Sequence, residues 1–205
     1  MWDIISKGGF FIYPLLLCSI LALTFIIERL ITLHLTRKKV IRFLERLNET
    51  IKTGSLSEAI ELCDKSDTNL ALIYKRGLEA ADRKSPVNKD QVKTAFQESA
   101  SVELVSLERN LGILSTVAHV APLLGFLGTV TGMIQAFQQI QTLSNIGQAV
   151  GAGDLAGGIW EALITTAVGL VIAIPTYVAY AYFKSDTAKI TNLLEKNALV
   201  ILNQL

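Results

Sequence analysis

The sequence predicts an all-α membrane protein in which three transmembrane helices extend into a helical cytoplasmic region. Of its 205 residues, 51% are hydrophobic and 18% are charged, whereas soluble domains average about 25% charged residues. The apolar residues also form three long runs, 8–27, 111–137 and 155–183. Each run reaches the roughly 20 residues that a helix needs to cross the hydrocarbon core.

The first run is predicted to be a retained membrane helix. A secretory signal would combine a basic segment, a short apolar core and a small-residue cleavage site. Here Ile27 leads directly into Glu28 and Arg29 with no such site. The second run contains no Lys, Arg, Asp or Glu, and the third contains one acid, Glu161.

The distribution of basic residues predicts the orientation of the three helices. Fifteen of the nineteen Lys and Arg residues lie between Glu28 and Asn110, and three follow Phe183. Because basic segments beside membrane helices stay in the cytoplasm, we expect a periplasmic N-terminus and a cytoplasmic C-terminus.

These patterns divide the chain into six segments. They are the periplasmic N-terminus with the first transmembrane helix (1–35), a cytoplasmic helical domain (36–109), the second transmembrane helix (110–137), a short periplasmic loop (138–158), the third transmembrane helix (159–183) and a cytoplasmic helical tail (184–205).

The charged middle segment is predicted to be helical throughout. Gly54 is expected to end the first helix, and Ser55 with Glu58 has the spacing of a capping box for the next. No helix breaker separates Lys89 from Leu111, so one helix is expected to continue from the charged segment into the second span.

Glu161 is the residue most indicative of function. A carboxylate inside a membrane span costs about 2.5–3.5 kcal/mol on insertion scales, and such residues usually face a protein interior or a wet cavity. Withdrawal from water favours the neutral acid, so Glu161 is a candidate for proton exchange near neutral pH. The alternative is an interfacial glutamate that reaches water at the outer end of the span.

Small and polar residues accompany Glu161 on two helices. Thr165 lies one turn below it, with Thr166 beside it, and both are candidates for a proton pathway. Thr129 lies in the middle of the face that Ala121, Gly125 and Gly132 share on the second span, and it is a candidate for the same pathway. Candidate residues for helix packing or a pore face are Pro122, Gly125, Gly128, Gly132 and Gly169. Small residues let helices approach closely in lipid, so packing is the simpler interpretation of the glycines.

Two stretches resemble the ExbB/TolQ/MotA proton-channel family. They are APLLGFLGTVTGM (121–133) and EALITTAVGLVIAIP (161–175), and Glu28-Arg29 at the inner end of the first span also fits. The resemblance extends over the whole chain. MotA-like members have four spans, so three spans favour the ExbB/TolQ branch. The short chain and the stretch AHVAPLLGFLGTV (118–130) are more similar to the ExbB side.

The resemblance implies a bacterial inner-membrane motor subunit driven by protons. It implies a pentamer around an ExbD/TolR-type protein whose single span carries an essential Asp, working on a TonB- or TolA-type protein. The family's pore residues correspond to Glu161, Thr129 and Thr166. Protons would be the transported ion, without a cofactor, metal or nucleic acid.

Three alternatives to an ExbB-like motor are open. A TolQ-like subunit of the Tol-Pal system would support outer-membrane integrity. A passive oligomeric scaffold would tolerate replacement of Glu161 by Gln or Ala. A solute carrier would need an inverted repeat and paired broken helices, which three spans do not provide. No nucleotide-binding loop or catalytic triad is apparent, so the chain is not expected to be an enzyme.

Overall fold

The computed structural model describes residues 9–82, 88–147 and 151–204. These residues form helices and no β-strand. The helices are α1 (Ile12–Thr53), α2 (Leu56–Asp64), α3 (Ala71–Asp82), α4 (Lys89–Glu108), α5 (Leu111–Asn145) and α6 (Ala152–Gln204). Within this part of the chain α1, α5 and α6 are long and apolar enough to cross a membrane, judged by length and composition. The predicted fold class is therefore confirmed.

The described residues group into two compact units. The membrane unit contains residues 9–27, 110–147 and 151–181, and the charged unit contains residues 28–82, 88–109 and 182–204. In the membrane unit Leu15 of α1, Ala121 of α5 and Ala173 of α6 form a buried apolar cluster. One residue from each long helix therefore meets in this small core.

The core of the charged unit is built around the ring of Tyr74 on α3. Its ring meets those of Phe43 and Phe96 edge to face, with centroid distances of 5.7 and 5.8 Å. Gly77 makes room for this arrangement, because a Cβ there would come within 2.5 Å of the Phe96 ring. Edge-to-face aromatic pairs contribute about 0.5–1.5 kcal/mol each beyond the area they bury.

The Tyr74 hydroxyl ties α3 to the C-terminal part of α6. It donates a hydrogen bond of 2.8 Å to the carbonyl of Leu194. Burial, together with the neighbouring Cys63, holds the pKa of this phenol well above its usual value. Burial likewise raises the pKa of the Cys63 thiol to about 12. Tyr74 therefore stays a proton donor across the physiological pH range.

Replacing Tyr74 by Phe is expected to lower the free energy of unfolding by about 1 kcal/mol, the net contribution of a typical buried hydrogen bond. The ring contacts would be kept, so only the bond to Leu194 is lost. The measurement is thermal unfolding of the purified protein in detergent. Tyr182→Phe is the matched control because Tyr182 is 58% exposed. Equal stability of the two variants would contradict the prediction.

The predicted N-cap at Ser55 is confirmed, and the structure forms the Ser55 side of the capping box. The Ser55 hydroxyl accepts a hydrogen bond of 3.3 Å from the backbone N–H of Glu58, and Ser55 precedes the first residue of α2. Gly54 follows the last residue of α1, as its position predicts. The N-cap residue of α4 is Asn88, whose side chain accepts hydrogen bonds from the backbone N–H groups of Asp90 and Gln91.

The expected continuous helix from Lys89 into the second span is wrong. α4 ends at Glu108 and α5 begins at Leu111. Between them Asn110 has a φ of 65°, in the left-handed region. Asparagine is among the residues that enter this region at low cost, so the chain can turn here without glycine or proline.

The other two long helices continue beyond the apolar runs. α5 reaches Asn145, eight residues past Phe137, and Gly147 follows with a φ of 72°. The polar stretch after Phe137 contains no breaker before that glycine, and it therefore stays helical. α6 runs through Phe183 to Gln204, as predicted for the tail.

Candidate functional site

Helices α5 and α6 meet along a face of small residues in the membrane unit. On α5 the buried members recur every three or four residues, which places them on one side of the helix. They are Ala121, Gly125, Gly128, Gly132 and Ala136. The residues of α6 that meet them are Gly158, Ala162, Thr165 and Gly169.

The two backbones approach closely along this face. A Cβ on Gly125 would lie 2.8 Å from the carbonyl oxygen of Thr165, and one on Gly169 would lie 2.7 Å from that of Ala121. On Gly158 it would lie 2.9 Å from the carbonyl of Gly132. These distances leave no room for larger side chains, so the glycines serve the packing role that their spacing predicts.

Thr165 and Thr166 both reach the backbone carbonyl of Gly125. The Thr166 hydroxyl donates to this oxygen at 3.1 Å. The Thr165 hydroxyl donates to the carbonyl of Ala162 at 2.8 Å and lies 3.4 Å from that of Gly125. Thr165 is 1% exposed. Two hydroxyl groups are thereby held inside an otherwise apolar contact between α5 and α6.

Thr129 and Pro122 lie beside this face rather than on it. Thr129 is half-buried, and its hydroxyl donates to the carbonyl of Phe126 in its own helix at 2.6 Å. Pro122 lies inside α5 and is also half-buried. Since proline has no N–H, the carbonyl of Ala118 lacks its usual helical partner there.

The side chain of Glu161 is half-buried and lies against the start of α1. Its carboxylate occupies the space that a Cβ on Gly9 would take. Gly9 also has a φ of 60°, a conformation that favours glycine. Both the positive φ and the neighbouring Glu161 carboxylate therefore favour glycine at this position.

The structure brings together only some of the predicted site residues. Thr165 and Thr166 meet at Gly125, while among the described residues of this single chain no hydrogen bond joins Glu161 to a threonine. The sequence reasoning missed Gly9, Gly158 and Ala162. A search for small residues at helical spacing along α6 would have found Gly158 and Ala162, whereas no local pattern connects Gly9 with Glu161.

The described residues include no evident set of metal ligands. Within residues 9–82, 88–147 and 151–204, no group of three or more His, Cys, Asp or Glu side chains is placed to hold a metal ion. The polar groups that meet at Gly125 in the α5–α6 contact are threonine hydroxyls and a backbone carbonyl.

The model of the MotA/TolQ/ExbB proton channel family matches residues 65–196 of the chain. This stretch includes α5, most of α6 and the candidate site. The chain belongs to this family. Membership and the three apolar helices together identify a multi-pass inner-membrane protein.

Similar proteins of the MotA/TolQ/ExbB family come from several organisms. An ExbB-like biopolymer transport protein of Synechocystis is 33% identical over 175 residues, 84% of this chain and 66% of its own. The Tol-Pal system protein TolQ of Pseudomonas aeruginosa is 29% identical over 196 residues, 90% of this chain and 83% of its own. The biopolymer transport protein ExbB of Neisseria meningitidis is 29% identical over 197 residues, 90% of this chain and 85% of its own.

Proposed function

We propose that this chain is a motor subunit of the ExbB kind, which uses the proton-motive force to energise outer-membrane transport through a TonB-type partner. Glu161 is the observation that carries the proposal. It is the one acid within the apolar stretch of α6 and its side chain is half-buried. Membership in a proton channel family supports a role for this carboxyl in proton transfer.

The proposed cargo is the proton, and the chain acts as a transport component rather than an enzyme. One proton crossing the membrane releases about 2.3 kcal/mol per 100 mV. Glu161 would take up and release it, and the hydroxyls of Thr165, Thr166 and Thr129 would line the path. Of these, Thr165 and Thr166 already share the Gly125 carbonyl as an acceptor.

The proton path requires further chains. The side of α6 next to Glu161 carries Ile159, Trp160 and Leu163, which are between 42% and 62% exposed. Three helices with open apolar faces do not enclose a polar path, so additional helices must form its other wall. We therefore propose a homo-oligomer around an ExbD/TolR-type protein with a membrane Asp. The resemblance to the ExbB/TolQ/MotA family implies that this oligomer is a pentamer.

The proposed orientation has a periplasmic N-terminus and a cytoplasmic C-terminus. It places eighteen of nineteen Lys and Arg residues on the cytoplasmic side, in line with the positive-inside rule. Glu161 would then lie toward the periplasmic end of α6.

A TolQ-like role is the second candidate. The TolQ proteins of Pseudomonas aeruginosa and Haemophilus influenzae are 29% and 33% identical to this chain, similar to its ExbB relatives. Identity alone therefore does not separate the two branches, and a cellular phenotype is needed.

Depletion of the chain from its own cells is expected to abolish energy-dependent uptake of an iron chelate and to leave detergent resistance unchanged. Both readouts would be measured in the same cultures, and a plasmid copy of the wild-type chain should restore uptake. Detergent sensitivity with normal uptake would instead assign the chain to the TolQ branch. Normal behaviour in both assays would overturn the proposal of a motor in either branch.

A further inference from the structure

A polar pocket of about 230 Å³ lies in the charged unit, beside the point where α1 leaves its apolar stretch. Its walls come from α1, from the loop between α2 and α3, and from the end of α4. The polar residues that line it include Arg29, Lys39, Asp67, Thr68, Asn69 and Ser106.

Arg29 is the feature of this pocket that points to a ligand. Its side chain is 3% exposed. One terminal nitrogen donates to the carbonyl of Leu107 at 3.4 Å. Its Nε lies 3.5 Å from the Glu28 carboxylate, but this buried N–H makes no hydrogen bond. A buried guanidinium donor without an acceptor is costly, so a bound acceptor in the pocket would stabilise it.

The lining of the pocket favours an anion. Among the lining residues Arg29 and Lys39 are positively charged and Asp67 is negatively charged, while the Glu28 carboxylate lies 3.5 Å from the Arg29 Nε outside that lining. Thr68, Asn69 and Ser106 add hydroxyl and amide donors to the walls. A guanidinium group binds phosphate through a planar fork of N–H groups, and lysine adds a compact positive charge. A phosphate group matches this combination in charge and in hydrogen-bonding capacity.

The place of the pocket along the chain indicates where the phosphate comes from. Arg29 follows the apolar run of α1 by two residues, and Leu107 precedes the start of α5 by four. Both therefore lie at the edge of segments long enough to cross the hydrocarbon core, the level at which lipid phosphates are found. We propose that the pocket binds the phosphate group of an anionic phospholipid from the adjacent leaflet. This proposal does not depend on the proton motor.

The test uses the purified full chain in a neutral detergent, titrated with phosphatidylglycerol or phosphatidylcholine while its thermal midpoint is followed. A ligand that binds only the folded state raises the midpoint with its concentration. Phosphatidylglycerol is expected to raise it at concentrations where phosphatidylcholine does not. Equal shifts with the two lipids would overturn the proposal.

Three exposed positions give matched variants that leave Arg29 untouched. Lys39→Gln is expected to weaken the apparent affinity for phosphatidylglycerol about fivefold, since a basic residue near a membrane surface contributes about 1 kcal/mol to anionic lipid binding. Asp67→Asn should strengthen it by a similar factor because it removes a repulsive charge. Lys38→Gln changes the same net charge outside the pocket and should leave the affinity within about twofold of the wild type.

The folding of every variant is checked by its helical circular dichroism. Two results would contradict the proposal that the pocket binds a lipid phosphate. Equal weakening by Lys39→Gln and Lys38→Gln would indicate general charge attraction rather than a site. If inorganic phosphate stabilises the protein as well as phosphatidylglycerol does, and competes with it, the site takes free phosphate and the lipid source is wrong.

Discussion

Cells carrying Glu161→Gln are expected to lose energy-dependent uptake while keeping the protein at its normal level. Glutamine has nearly the same size and shape, so the half-buried position beside Gly9 should accept it. It has no ionisable proton, however, and a positioned proton-transfer group typically contributes about 10²–10⁴-fold to a rate. We therefore expect uptake to fall by about 100-fold or to background.

The matched control for this result is Glu98→Gln. Glu98 is an exposed residue of α4, outside the three apolar runs, and its replacement should leave uptake unchanged. Glu161→Asp keeps the carboxyl group one methylene further from Gly9 and should retain part of the activity. Normal uptake with Glu161→Gln, at a confirmed protein level, would make Glu161 an interfacial residue and favour the passive scaffold.

Much of the fold follows from patterns that are local in the sequence. Runs of about 20 apolar residues need no partner to be recognised as membrane helices. The Ser55–Glu58 cap depends on atoms only three residues apart, and the structure forms it. The stripe of Gly125, Gly128 and Gly132 likewise follows from helical periodicity. In each case the determining interactions lie within one helix or one turn.

The features that the sequence did not predict depend on one unusual backbone conformation and on contacts between distant parts of the chain. Asn110 breaks the helix between α4 and α5 by entering the left-handed region, which asparagine can do but most often does not. Gly9 and Glu161 are 152 positions apart in the sequence, so their contact exists only once α1 and α6 are packed. The hydroxyl of Thr165 is buried by α5, and the sequence of α6 alone does not specify that neighbour.

Gly125→Ala is expected to destabilise the membrane unit by about 1–3 kcal/mol, the usual cost of adding a methyl group to a tightly packed core. The new Cβ would lie 2.8 Å from the Thr165 carbonyl oxygen and 3.0 Å from the Thr166 Cα. Both are backbone atoms that cannot rotate away, so α5 and α6 would have to separate locally. That movement would also lengthen the hydroxyl contacts to the Gly125 carbonyl.

Gly112→Ala provides the comparison within the same helix. A Cβ at Gly112 meets no heavy atom within 4 Å, and alanine is favoured over glycine in helices by up to about 1 kcal/mol. Thermal unfolding in one detergent should therefore place Gly125→Ala below the wild type and Gly112→Ala at or above it. Reversal of this order would show that the α5–α6 backbones are not held together at Gly125. If the order holds while uptake falls with Gly125→Ala, the close contact that positions Thr165 and Thr166 is also needed for function.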